Sequence, residues 1–174
     1  VATSTARVVP QERMSLAEFL AWQDGAAIAE WVDGAVIRMA PPSLKHQVLG
    51  SFLEKVLGVF VEVRELGTVV RSPFAMRVAG IASVREPDLL FIRGDRTHLL
   101  RETHVDGPAD LVVDVVSPDS IGRDRGEKFV EYESGGIPEY WVLDPERQQA
   151  EFYRLAADGR YRLVVADAEG VYRS

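Results

Sequence analysis

The chain is expected to fold as a mixed α/β sandwich, in which a sheet of mixed strand direction is flanked by helices, and three observations predict it. Leu111-Val112-Val113-Asp114-Val115-Val116, closed by Ser117-Pro118, is apolar apart from one carboxylate and reads as a strand buried on both faces. From Asp114 to Asp144 the pattern runs strand, helix, strand, which suits a right-handed parallel crossover. Asp33-Gly34 and Asp158-Gly159 each separate two extended runs, the signature of tight antiparallel hairpins. With 174 residues and 47% hydrophobic composition the chain can build one sizeable core, so a single domain over 1–174 is expected. Within it, 1–13 reads as a flexible tail, 14–42 as an N-terminal helix and hairpin, 43–145 as the core and 146–174 as a closing hairpin and tail.

Ser15-Leu16-Ala17-Glu18 is a capping box with Met14 and Phe19 placed as a hydrophobic staple, so a short helix starts at Leu16 and ends near Trp22. Glu30 lies on the first strand of the hairpin that turns at Asp33-Gly34. Pro41-Pro42 breaks the chain and Ser43 can cap a new helix. Leu44, Val48, Phe52, Val56 and Leu49, Leu53, Leu57, Phe60 predict that helix, about six turns running toward Gly67. Its doubled apolar stripe implies burial against a sheet, while His46, Gln47, Gly50 and Glu54 share a more polar side suited to facing a cleft. Residues 69–78 read as a strand with Pro73 near its middle, hence an edge or a bulge, and Ala79-Gly80 begins the turn back. Glu86-Pro87-Asp88 opens the next strand at 89–92, and 93–109 is a polar connection with one helical turn, expected as a surface flap. Residues 124–134 read as a helix ended by Gly135-Gly136, and 139–143 as a strand ended by Asp144-Pro145. The runs 151–155 and 161–165 continue the sheet as a C-terminal β-meander, and Phe152, Tyr153, Tyr161 and Leu163 on them offer a face for a homodimer.

Composition narrows the function. Cysteine is absent, which excludes a disulfide framework or a thiolate metal site and suits a reducing cytoplasm. No apolar run approaches the roughly 20 residues of a membrane span, and 1–7 lacks the apolar stretch of a secretory signal. The net charge of −7 disfavours a broad nucleic-acid surface while leaving room for a local basic groove.

Asp114 is the residue that asks for an explanation, because an unpaired carboxylate in a strand buried on both faces costs several kcal/mol. A metal or another cation is the expected reason. Asp88 repeats the pattern at the entrance of a second apolar strand, and two carboxylates on neighbouring strands can converge on one Mg²⁺ or Mn²⁺ that keeps positions open for water and phosphate. Lys128, on the helix directly after the Asp114 strand, is placed to orient a water or to stabilise transition-state charge. The chemistry is that of phosphodiester hydrolysis.

Pro87-Asp88, Asp114-Val115-Val116 and the Lys on the following helix resemble the PD-(D/E)XK nuclease superfamily. More closely, Glu30-Trp31-Val32-Asp33-Gly34, Pro41-Pro42-Ser43-Leu44-Lys45-His46, the stretch from Leu111 to Pro118, and Gly136-Ile137-Pro138-Glu139-Tyr140-Trp141 resemble the Uma-type family of restriction-endonuclease homologues. The resemblance runs from about Met14 to Leu155. It implies a restriction-endonuclease-like fold and a metal-dependent endonuclease acting on DNA. It also implies that Asp88, Asp114 and Val115 bind the metal, that Lys128 is a migrated catalytic lysine, and that Glu30 is a further acidic site residue. Val116 stands where the superfamily carries its lysine, and Asp114 where the closer family more often has Glu.

Each residue has a second reading. Asp114 as a buried partner for an arginine, Asp88 as a turn cap, Lys128 as a solvated helix residue and Glu30 as a projection from an exposed hairpin are the structural alternatives. His46 is either a substrate-binding residue or a partner for local backbone. Arg125, with Arg93, Arg96, Arg101 and Arg123, is either part of a phosphate-binding rim or of a solvated mixed surface. The corresponding functional alternatives are a catalytically degenerate nuclease fold serving as a nucleic-acid-binding or protein-interaction module, and a metal hydrolase of small phosphate esters.

Overall fold

The computed structural model describes residues 12–22, 28–78, 80–117 and 120–173. Residues 1–11 of the expected tail over 1–13, Ala79 of the turn at Ala79-Gly80, and Pro118 lie outside them, while Arg13 of that stretch bridges Ala35. The chain builds two mixed sheets with helices between and outside them, as the mixed α/β pattern predicts.

α1 (Leu16–Ala21) begins at the predicted capping box, with Ser15 and Glu18 bonded reciprocally, and stops at Trp22. β1 (Ala29–Val32) and β2 (Ala35–Arg38) form the predicted hairpin, with Asp33 at φ 46° and Gly34 at φ 86°, both central residues of the turn being left-handed. β4 (Ala75–Arg77), β5 (Ser83–Arg85) and β7 (His104–Val105) complete a five-stranded sheet in the order β2-β1-β5-β4-β7. α1 covers one face of it through Phe19, which packs with Trp31, Val36 and Val84.

The second sheet has the order β11-β10-β9-β8-β6-β3, from β3 (Gly67–Arg71), β6 (Leu89–Arg93), β8 (Leu111–Val115), β9 (Glu139–Asp144), β10 (Gln149–Leu155) and β11 (Tyr161–Leu163). β8 and β9 run parallel, as the crossover predicts, and the other pairs are antiparallel. The crossover contains a π-turn (Arg123–Glu127) and α3 (Lys128–Ser134). Side-chain alternation along β8 sets the layers. Leu111 and Val113 face Leu49, Leu53 and Leu57 of α2 (Leu44–Val63), whereas Val112 and Val116 enter the main core with Tyr132 of α3 and with Met76 and Val105 of the first sheet.

Four expectations need correction. Residues 69–78 are not one strand: the chain breaks at Ser72-Pro73, β3 becomes the edge of the six-stranded sheet and β4 joins the other, because Pro73 cannot donate to a ladder. The stretch 93–109 is not a flap; a 3₁₀ helix (Gly94–Leu99) and β7 stitch the sheets together, with Val105 and Ala109 fully buried. Only one stripe of α2 is buried, while Leu44, Val48, Phe52, Val56 and Phe60 stay 47–79% exposed. The meander residues do not share one exposed face, since Tyr161 is buried, Tyr153 packs edge-on to Phe129 at 4.9 Å and Phe152 packs on Trp141 at 5.1 Å, while Leu163 is 55% exposed.

One glycine is fixed by close approach. A Cβ on Gly67 would collide with the carbonyl oxygen of Ile92 on the paired strand, at a φ of 153°. Gly67→Ala is therefore expected to lose about 1–3 kcal/mol of stability, read as a lower urea midpoint; an unchanged midpoint would show that β3 can shift without cost.

Candidate active site

The register of two antiparallel strands builds the site. Leu89 pairs with Val113 and Leu90 with Val112, and the same register carried one residue before β6 sets Asp88 level with Asp114. Both carboxylates line one cleft, and the negative charge of Asp88 opposes ionisation of Asp114. Asp114 projects from the face of β8 that Val112 and Val116 share, toward α3. Val116 itself is 2% exposed and part of the core, so a lysine at that position is replaced by an apolar residue that the packing uses.

The cation comes from α3. Lys128 Nζ lies 3.1 Å from Asp114 Oδ1, 3.0 Å from Glu30 Oε1 and 3.3 Å from Asp124 Oδ1. Lys128 is the first residue after the π-turn, whose closing bond runs from its amide to the Arg123 carbonyl. Such i→i+5 turns re-aim side chains within a helix. Tyr140 OH, from β9, is 2.9 Å from Asp114 Oδ2 and 2.9 Å from the Asp124 carbonyl, and donates its one proton to either. Arg85 backs the cluster from β5: it bonds Glu30 at 2.8 Å and grips Glu131 through Nε and Nη2 at 2.8 and 2.6 Å.

Charge is not balanced. Glu30, Asp114 and Asp124 are three buried carboxylates, against the two buried cations Lys128 and Arg85, and around them the partly exposed Asp88 and Glu131 add negative charge against the partly exposed Arg123. Burial pushes the Asp114 carboxyl up to about 7; Lys128 opposes that rise, while Asp124, Asp88 and Glu30 add to it. Burial also opposes ionisation of Glu30, but Lys128 and Arg85 outweigh it and hold that carboxyl below its ordinary value. Lys128 is itself held well above the ordinary lysine value, because Asp114, Glu30 and Asp124 more than offset its burial.

Asp88 and Asp114 open onto a cleft of about 350 Å³ that is also lined by Pro41, Ser43, His46, Val115, Arg123 and Lys128. Asp88 accepts a bond from the Val115 amide at 2.7 Å and faces His46 Nε2 at 3.1 Å. That bond to Asp88 lifts the His46 imidazole above its ordinary value against the effect of burial. His46 is held there because Ser43 caps α2 and turns its first residues toward the strand ends. Val115 has no side-chain donor atom, so any ligand role falls to its main-chain oxygen.

The structure thus brings Asp88, Asp114, Val115, Lys128 and His46 to one cleft. Glu30 is fully buried behind it, which overturns the reading of an exposed hairpin residue. Arg125 is not brought there: it bonds Asp144 and Glu151. Arg123 lines the cleft instead, its Nε 3.8 Å from Glu30. Sequence reasoning missed Asp124, Tyr140 and Glu86. Asp124 was visible as an i,i+4 partner of Lys128, and Glu86 as the residue two before Asp88, on the same face of an extended chain. Burial pushes the Glu86 carboxyl to about 7. No local pattern marks Tyr140.

The donor chemistry fits one hard divalent cation. Two carboxylates from neighbouring strands, with excess negative charge around them, are what Mg²⁺ or Mn²⁺ uses when water and phosphate fill its other positions. A closed cage is not formed, for no cluster of three or more His, Asp or Glu suited to a metal occurs among the described residues.

Paired strand carboxylates, with a lysine delivered from the crossover helix, define a protein with a restriction-endonuclease-like fold. The family model described as "Putative restriction endonuclease" (Uma2) matches residues 16–173, and the chain belongs to that family. Membership supports nuclease activity in general. A crystal structure described as a putative nuclease belonging to DUF820, from Anabaena variabilis, is similar at a TM-score of 0.72 and 17% identity, covering 92% of this chain and 94% of that one. At that identity the likeness is one of fold. No match was found among curated proteins. No helix among the described residues is long and apolar enough to cross a membrane.

Proposed function

We propose that the chain is a Mg²⁺- or Mn²⁺-dependent endonuclease that hydrolyses phosphodiester bonds in DNA. The observation that carries this reading is the convergence of Asp88 and Asp114 on one cleft beside a buried lysine, in a cluster with more carboxylates than cations. Asp88, Asp114 and the main-chain oxygen of Val115 would hold the metal. When bound, it would lower the pKa of a water and offset charge on the phosphate. Lys128 keeps Asp114 oriented and presents an ammonium to the developing negative charge. Glu30 fixes Lys128 from behind and is a positioning residue. His46 orients Asp88 and can donate to a phosphate oxygen, and Arg123 supplies positive charge to the cleft wall.

Calorimetric titration of Mn²⁺ tests the site before any sequence preference is known. Binding to the wild type that is lost in folded Asp88→Asn and Asp114→Asn, with Mn²⁺-dependent nicking of supercoiled plasmid lost in both, is the expected result. The absence of binding to the folded wild type, both alone and with DNA present, would assign the chain to the degenerate binding module. The affinity should also rise with pH. Because the Asp114 carboxyl is raised to about 7, a proton must leave before the metal enters, and below that value affinity falls by up to about tenfold per unit. Equal affinity at about pH 6 and about pH 8 would exclude Asp114 as a ligand.

A further inference from the structure

We propose that the outer face of α2 is the interface of a two-fold symmetric dimer, formed by antiparallel packing of α2 against α2 of a second copy. Leu44, Val48, Phe52, Val56, Val59 and Val63 recur at spacings of three and four and form one stripe along the helix. All are at least half exposed, and Phe60 and Leu66 extend the patch. Together they expose on the order of 800 Å² of apolar side chain, above the roughly 300–600 Å² patch of a typical monomer and equal to about one partner's share of a standard interface.

The sequence of the stripe specifies the occupant. An antiparallel pair with its two-fold axis between Ser51 and Val56 sets Leu44 against Val63 of the partner subunit and Val48 against Val59 of the partner subunit. The same register sets Lys45 against Glu62 of the partner subunit, so the two ends of the stripe carry opposite charges that match in this orientation, while Lys55, exposed on the same face, meets Phe52 of the partner subunit and reaches past it to solvent. Lys45 already bonds Glu146 at 2.7 Å, which leaves its ammonium at the rim rather than in the apolar centre. The register also brings Phe60 of the partner subunit level with an apolar groove lined by Leu44, Val48, Leu49, Phe52, Leu143 and Pro145. An anionic membrane is a poorer fit, since the chain carries a net charge of −7. The cleft lies on the other side of α2, where His46 faces Asp88, so the interface leaves it open.

Light scattering with gel filtration, at up to about 100 μM, is expected to give twice the 19.3 kDa chain mass. Val59→Glu changes an exposed residue, so the monomer should keep its circular dichroism. The charge would be buried unpaired at the interface, and the dimer dissociation constant should rise at least about 30-fold. The chain has no cysteine, so Phe52→Cys, near the axis, should oxidise to a covalent dimer without competing thiols. A wild type that stays at 19.3 kDa over that range overturns the proposal, as does a dimer unaffected by Val59→Glu. Binding of the monomer to lipid vesicles would give the face to a membrane surface and overturn it equally.

Discussion

Lys128→Met is expected to abolish metal-dependent cleavage and to cost the fold about 3–5 kcal/mol at neutral pH. The two effects have one origin. Lys128 is 2% exposed and lies within 3.3 Å of carboxylate oxygens of Glu30, Asp114 and Asp124. Removing it leaves those groups buried beside one another, with Arg85 reaching only Glu30 among the three. Asp114 is already raised to about 7 in the wild type, and Lys128 is the group that opposes that rise, so the variant's carboxyl titrates higher still. Up to about 7 the wild-type Asp114 also holds its proton, so the deficit opens above that value, where the wild type has ionised while the folded variant still binds a proton and loses stability as pH rises. Urea melts at about pH 6 and about pH 8.5 should therefore show the larger deficit at the higher pH. A deficit independent of pH would mean that Lys128 contributes packing rather than charge.

Arg85→Met is expected to be comparably severe, at about 3–5 kcal/mol, though Arg85 touches no atom of the cleft. Its guanidinium is fully buried and satisfied by Glu30 and by a two-point grip on Glu131, with Glu127 at 3.4 Å. Truncating the cation leaves Glu30, at 0% exposure, to Lys128 and the more distant Arg123, and leaves Glu131 with the Ser83 hydroxyl, which donates to it at 2.8 Å. The companion Arg85→Met/Glu131→Met should recover part of the loss, because removing both partners leaves fewer unpaired charges than removing one. Thermal or urea unfolding of the single and double variants measures the coupling. Strict additivity would show that the pair is not an energetic unit.

How much of the fold and the cleft was legible in the sequence depends on whether a feature is local. The hairpin at Asp33-Gly34 needs left-handed φ at both central residues, and the capping box at Ser15 needs hydroxyl and carboxylate three apart; both are written in adjacent letters and both are present. Asp114 and Asp88 stood out because a carboxylate in an apolar strand contradicts its surroundings. The strand β5 was invisible for the opposite reason. Its inner face is polar, with Ser83 and Arg85 pointing at Glu131, so no apolar alternation announces a buried strand. The stripes of α2 are equally apolar, and only the position of the sheet decides that Leu49, Leu53 and Leu57 pack while Val48 and Phe52 do not. Arg123 and Arg125 differ by two positions on a π-turned segment. The turn sends Arg123 to the cleft and Arg125 to Asp144, a choice that composition cannot make.

The lysine that completes the cluster arrives from a helix rather than from the strand that carries Asp114. In the order of synthesis Glu30, Asp88 and Asp114 precede Lys128 and the Tyr140 that bonds Asp114. The carboxylates then lack their internal cation, and the six-stranded sheet lacks β9, the parallel neighbour of β8. Assembly of the cleft is thereby tied to late translation: a truncated product ending before α3 carries the acidic strands without the ammonium. The N-terminal strands alone therefore cannot assemble the cluster, because the ammonium that lies within 3.3 Å of Glu30, Asp114 and Asp124 belongs to a later part of the chain.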